Sequence, residues 1–165
     1  MNPNQAALSL SAIKVARKAG ALVALDPSPI VSQIYPDVFN SILSETDIIF
    51  PNAAELQIIT GSKDIETGIR NILTRVPCLG LKIGSEGSIA AVRNGFVSLA
   101  GTVFSEYTII RVSALPVSAI DTTGAGDTFN AGFIASMLQG EPPLKWLENG
   151  NSLAAKVVAQ KGASL

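Results

Sequence analysis

The sequence predicts an α/β fold in three layers, α-β-α, built on a mostly parallel sheet with helices on both faces. Two observations lead there. Short apolar runs alternate with stretches of helical periodicity, the order that lays crossover helices over a parallel sheet. Late in the chain, Arg93-Asn94-Gly95 separates two strand-like runs, a hairpin signal that inserts one antiparallel element. A length of 165 residues, 47% apolar and 15% charged, suits a single domain over 1–165 with a sizeable core.

Taken in order, residues 6–19 read as a helix. Leu8, Ala12, Val15 and Ala19 share an apolar stripe, Lys14, Arg17 and Lys18 face away, and Gly20 ends it. Residues 21–25 (ALVAL) read as a buried strand closed by Asp26-Pro27-Ser28-Pro29. A short helix near 37–43 precedes a strand over 47–50, and Pro51-Asn52 opens a helix that Gly61 stops. The next helix, 64–75, has Ile65, Ile69 and Ile72 along its apolar side. A strand over 79–83 leads into the turn Gly84-Ser85-Glu86-Gly87. Residues 88–92 and 96–99 form the arms of the expected hairpin; 107–112, β-branched, and 117–120 are two further strands. Residues 128–139, apolar almost all round, predict a helix buried on most sides. The last helix, 142–160, begins with two prolines, tolerable in a first turn, and aligns Leu144, Leu147, Ala154 and Val158.

Composition narrows the chemistry. Twelve basic and thirteen acidic residues give a net charge of −1, so no basic excess holds a nucleic acid or an anionic membrane surface. The absence of histidine excludes Ser-His-Asp and Cys-His catalysis and His-ligated zinc. One cysteine, Cys78, excludes a disulfide framework and fits a reducing compartment. The longest strictly apolar run, Ala21 to Leu25, falls far short of the ~20 residues of a membrane span, and the start lacks the basic-then-apolar order of a secretory signal. The expectation is a soluble, cytoplasmic chain with no nucleic-acid or membrane partner, whose chemistry comes from carboxylates, hydroxyls, lysines and backbone.

The richest stretch is Asp121-Thr122-Thr123-Gly124-Ala125-Gly126-Asp127-Thr128-Phe129, entering the apolar helix. Its glycines let backbone approach a ligand, and the first helical N–H groups, lacking partners inside the helix, form an anion site with the helix dipole. An acid there, Asp127, would repel a phosphate, yet it makes sense as a base for a hydroxyl that attacks one. A turn in which Asp127 only caps the helix fits the same spacing. GxxxxGK[ST] is absent, and Gly124-Ala125-Gly126 lacks the third glycine of a dinucleotide fingerprint.

DTTGAGDTFNAGF (121–133) closely resembles the C-terminal signature of the PfkB, or ribokinase-like, carbohydrate kinases. Three weaker features follow that family's order. Pro51-Asn52-Ala53-Ala54-Glu55 resembles its NxxE element, Leu81-Lys82-Ile83-Gly84-Ser85-Glu86-Gly87 its nucleotide-side (T/K)LGxxG turn, and Ala159-Gln160-Lys161-Gly162-Ala163 its C-terminal end. The resemblance runs from about Ala6 to Ala163. It implies the ribokinase-like fold and ATP-dependent phosphorylation of a hydroxyl on a sugar or related small molecule. Asp127 then resembles the base, and Gly124, Ala125 and Gly126 the anion hole at the transferred phosphate. Asn52 and Glu55 resemble the pair that orders Mg²⁺ and phosphates through water, as suits an ion that keeps several waters. The same two residues also read as a capping box.

Gly84, Gly87 and Lys82 resemble the nucleotide-side turn, which is equally an ordinary turn between strands. Asn151 falls on the apolar seam of the last helix; the resemblance puts that helix beside adenine, and a core hydrogen bond is the alternative. Asp121 and Thr123 resemble positions where relatives bind a monovalent cation such as K⁺, while Asp121 alone also reads as a turn stabiliser.

The chain departs from the family in length. Full members are about twice as long, so it is expected to be truncated at the N-terminus, without the β lid and most of the acceptor pocket. An apolar sheet edge would then be exposed and could support a homo-oligomer. Asp26-Pro27-Ser28-Pro29-Ile30 has serine and isoleucine where fructokinase- and ketodeoxygluconate kinase-like members show the Asn and Arg of DPNxR, which resembles the ribokinase side; a plain variable loop reads the same way. Two other functions share the motifs: a non-catalytic PfkB-like assembly or regulatory protein, and a kinase for a nucleoside or vitamin precursor.

Overall fold

The computed structural model describes residues 3–162; Ala163 of the expected C-terminal motif lies outside them, as does the side chain of Ile30. Among the described residues are seven α-helices and five strands. Their order is α1 (Pro3–Lys18), β1 (Ala24–Leu25), α2 (Pro29–Ile34), α3 (Pro36–Leu43), β2 (Ile48–Ile49), α4 (Ala53–Thr60), α5 (Ile65–Leu73), β3 (Cys78–Lys82), β4 (Ser88–Val92), β5 (Thr108–Val112), α6 (Ala125–Leu138) and α7 (Pro143–Val158). The strands form one mixed sheet in the order β1-β2-β3-β4-β5. β1, β2 and β3 run parallel, with Ala24 opposite Ile48 and Ile48 opposite Cys78. β4 and β5 are antiparallel, Ser88 facing Val112 and Ala90 facing Ile110. The five residues between β3 and β4 are too few for a parallel crossover and make that pair a hairpin. The chain divides into two compact units, one ending at Leu79 and the other starting at Gly80.

In the first unit the core is Phe39, Ile42, Leu43, Ile48, Ile49, Phe50, Leu56, Ile69, Ile72 and Leu73. Helix ends follow local chemistry. Asn52 caps α4, Gly61 ends it at φ 71°, and Asp64 caps α5 by accepting the Thr67 N–H at 2.8 Å. Helix α2 occupies residues read from sequence as the end of a loop; Pro29 is its first residue, where the missing N–H costs nothing. The expected strands 21–25 and 47–50 shrink to two paired residues each. The stripe expected to bury α1 does not: Leu8 is 70% exposed and Val15 69%. What ties α1 down is Arg17, whose guanidinium grips the Asp47 carboxylate beside β2 at 2.9 and 3.0 Å.

In the second unit, α6 and α7 cross at two glycines. A Cβ on Gly132 would lie 2.9 Å from the Asn149 carbonyl oxygen, and one on Gly150 would lie 2.7 Å from the Phe129 ring. Ser136 and Asn149 bridge the helices at 2.7 Å. Trp146, 1% exposed, packs on Phe133 and Phe104 with centroids 5.2 and 5.7 Å away, and its indole N–H donates to the Glu141 carbonyl. The expected 96–99 strand is absent. β4 pairs with β5, and the intervening segment folds back on itself through the single bridge Val97–Val103. The expected strand 117–120 is irregular, and α6 starts at Ala125, three residues earlier than its apolar run suggested. Leu144, placed on the buried seam of α7, is exposed.

Candidate active site

The second unit encloses a cavity of about 690 Å³, within the roughly 300–1,000 Å³ of small-molecule sites. One wall is the irregular segment after β5, through Leu115, Pro116 and Val117; another is α7, through Ala154, Ala155 and Val158. The polar groups are Lys82, Ser85, Thr122 and Asn151, and the start of α6 contributes Ala125 and Gly126. The apolar walls suit a flat ring system, and the α6 end suits an anion.

The chain enters α6 through a tight turn. Gly124 is the N-cap at φ 78°, a left-handed conformation that strains other residues. The carboxylate of Asp121 holds the turn: Oδ1 accepts the Thr123 N–H at 2.9 Å and Oδ2 the Gly162 N–H at 3.1 Å. These bonds, those from Thr123 foremost, hold the Asp121 carboxyl below its ordinary pKa. At the helix start, Ala125 N–H donates to Thr122 O and Thr128 N–H to Gly124 O, while no acceptor within the described residues takes the N–H groups of Gly126 and Asp127. Asp127 is exposed and makes no hydrogen bond or ion pair within the described residues, so it does not cap its own helix through its side chain. Gly124, Asp127, Asp121 and Thr123 lie on this turn but not in the cavity wall.

Lys82, at the end of β3, brings its charge to the same place. A Cβ on Gly126 would lie 3.5 Å from the Lys82 Nζ, which is also 3.5 Å from Asn130 Oδ1 on the second turn of α6. The Gly84–Glu86 segment is a single 3-10 turn closed by Gly87 N–H on the Gly84 carbonyl. Its two glycines do different work. Gly84 has φ 62° with open space where a side chain would project. Gly87, at φ 105°, leaves no room at all: a Cβ would come within 2.0 Å of the Val112 carbonyl oxygen.

Asn151 is buried, as its place on the seam suggested, and its amide is committed to protein. Oδ1 accepts the Ser88 hydroxyl at 2.8 Å, and Nδ2 donates to the carbonyls of Ser113 and Val112 at 3.2 and 3.4 Å. The core-hydrogen-bond alternative is therefore what the structure contains, although Asn151 also lines the cavity.

Asn52 and Glu55 belong to the first unit and form a complete capping box. Asn52 Oδ1 accepts the Glu55 N–H at 2.9 Å, and Glu55 Oε2 accepts the Asn52 N–H at 2.7 Å. Among the described residues no cluster of three or more acidic or cysteine side chains could hold a metal ion, and no helix is long and apolar enough to cross a membrane. Sequence reasoning missed Ser88, Phe129 and Asn130. Phe129 and Asn130 sat inside the quoted motif; Ser88 carries no local signal, because its partner is far along the chain.

The second unit thus brings a glycine-rich turn, a helix start with open N–H groups, a lysine and an exposed acid together on an α/β fold. The chain matches the model of the pfkB family carbohydrate kinases over residues 3–165 and belongs to that family. It is 31% identical to a ribokinase of Haemophilus influenzae over 165 residues, covering 92% of this chain and 46% of the relative. The fold is similar to that of Arabidopsis thaliana ribokinase complexed with ribose and ATP (TM-score 0.76, 28% identity, 96% of this chain and 48% of that one). It is also similar to adenosine kinase from Sinorhizobium meliloti (TM-score 0.81, 23% identity, 96% and 46%). The chain spans about half the length of the curated relatives it matches.

Proposed function

We propose that this chain carries the phosphate-donor and catalytic part of an ATP-dependent kinase that phosphorylates a hydroxyl of a sugar or related small molecule. The observation that carries this reading is the entry to α6: an exposed carboxylate, Asp127, follows Gly126, whose N–H has no acceptor among the described residues and whose Cβ position lies 3.5 Å from the Lys82 ammonium. Family membership and a relative complexed with ribose and ATP support the reaction class.

The residues fit a nucleoside triphosphate. Leu115, Val117, Ala154, Ala155 and Val158 offer apolar surface for a base, and Gly84 leaves its backbone open to a ribose or phosphate. Lys82 and the N–H groups of Gly126 and Asp127 would hold phosphate oxygens, with Gly124 and Ala125 setting the turn that aims them. Bound ATP with Mg²⁺ supplies the transferable phosphoryl group and neutralises part of its charge. Asp127, outside the cavity wall, would accept the proton of an acceptor hydroxyl arriving from the solvent side. The N–H groups, fixed before reaction, would stabilise charge as it develops.

In the first unit, Asn52 and Glu55 each use one oxygen in the capping box of α4, and the second Glu55 oxygen would suit a water carried by Mg²⁺. Asp121 accepts one backbone N–H on each carboxylate oxygen and keeps further lone pairs there, so with Thr123 it would suit a monovalent cation beside the turn, and no step is assigned to one. The expected edge for self-association is reduced to the two residues of β1, a short edge of the kind that discourages pairing.

The test is a phosphorylation assay of this chain with Mg-ATP and a panel of pentoses, hexoses and nucleosides, alongside Asp127→Asn. Turnover should fall by about 10²- to 10⁴-fold with donor affinity nearly unchanged. Near-normal turnover of the variant would remove Asp127 from the reaction, and a wild-type chain that binds no nucleotide would end the donor-site reading.

A further inference from the structure

The segment between β5 and the α6 turn, residues 113–120, has both ends fastened to one helix. At its root, Asn151 Nδ2 on α7 donates to the Ser113 and Val112 carbonyls. At its far end, the N–H groups of Ile120 and Asp121 donate to the Val158 carbonyl at 2.7 and 3.3 Å. Between these ties the backbone of residues 114–119 makes no hydrogen bond within the described residues. Asn151 and Val158 are two helical turns apart, roughly 10 Å along the axis. Seven extended residues reach roughly 23 Å. A segment so much longer than the gap it bridges bows away from α7. The cavity lies in that bow, lined by Leu115, Pro116 and Val117 on one side and Ala154, Ala155 and Val158 on the other.

Two further contacts brace the root. Ser88 at the start of β4 donates its hydroxyl to Asn151 Oδ1, and Gly87 abuts Val112, Ser113 and Ala114 so closely that no side chain fits. The Asn151 amide thus has its acceptor side on β4 and its donor side on the segment root, and it is buried.

We propose that Asn151 is a positioning residue for the donor site. It pins the root of the 113–120 strap through a relay from Ser88, sets how far the strap bows, and so sets nucleotide affinity without reading the base. This rests on the donor-site reading above. Ser88 does not itself line the cavity and reaches it only through Asn151, so an effect of Ser88 on binding separates pinning from direct contact.

The experiment compares wild type, Ser88→Ala and Asn151→Leu in the full chain by titration with ATP and with GTP, and by limited proteolysis within 113–120. Pinning predicts that both variants weaken ATP and GTP by the same factor, about three- to tenfold for one or two lost hydrogen bonds, and speed cleavage in the strap. Ser88→Ala, a mild change, keeps the test readable if Asn151→Leu folds poorly. A changed ATP-to-GTP ratio in Asn151→Leu with unaltered binding in Ser88→Ala would overturn the proposal in favour of a base contact. If wild type binds neither nucleotide, the donor-site reading falls separately. Cleavage then decides the pin, and equal rates in all three proteins overturn it.

Discussion

Gly150 of α7 lies against the ring of Phe129 on α6, so close that a methyl group at position 150 would stand 2.7 Å from the ring and 3.0 Å from the Phe129 carbonyl oxygen. Phe129 also lines the cavity, which couples the crossing of the two helices to the shape of the site. Gly150→Ala gains helix propensity but must push α6 away. The expected net result is a loss of about 1–3 kcal/mol in urea unfolding, with weaker nucleotide binding. A variant as stable as wild type would show that the crossing yields easily.

Asp47 collects three bonds in the first unit: two from the Arg17 guanidinium and one from the Val23 N–H at 2.7 Å. Forked, charge-assisted geometry at a largely buried carboxylate is the strong form of this interaction. Asp47→Ala should cost about 1.5–3 kcal/mol, read from denaturant midpoints. Arg17→Met should cost less, because the Val23 bond survives.

Asp121 should impose a pH dependence. Its bonds to Thr123 and Gly162 depress the folded pKa below the unfolded value of about 3.9. The stability it contributes is therefore complete above that unfolded value and is lost as pH falls through the lower folded one. Asp121→Asn should flatten this part of the stability–pH curve below about pH 4. Equal acid slopes in the two proteins would show that the turn is held by other means.

Cys78 is fully buried in β3, and burial pushes its thiol well above the usual cysteine range, with the Asp47 charge adding to the effect. A soluble disulfide reagent should label it only at the rate at which the first unit opens, and urea should accelerate labelling steeply. Rapid labelling in native buffer would mean that β3 is reached without unfolding.

The α6 turn was legible because its determinants are local: a glycine for the left-handed cap, a second for close approach, an acid at the third helical position. Asn151 was legible as a buried amide from helical period alone, but its partners, Ser88, Val112 and Ser113, lie tens of residues away and leave no local trace. The same limit explains the hairpin. Asn94-Gly95 marks a real turn, with Gly95 at φ 84°, yet pairing chose β5, because register is set by which face is buried. Residues 117–120 have strand composition, but Val117 and Ala119 line the cavity instead, and Leu8 and Val15 share a helical stripe yet are mostly exposed. Periodicity reports that a face is apolar, not what covers it.

The indole of Trp146 carries a consequence of its own. It is the sole tryptophan of the chain and sits dry between Phe133 and Phe104 in the second unit. The chain thus contains one tryptophan fluorophore with a fixed address, which red-edge excitation separates from its two tyrosines. Its emission follows loosening around the α6–α7 crossing, so an optical melt reports on the packing of the second unit without any added label.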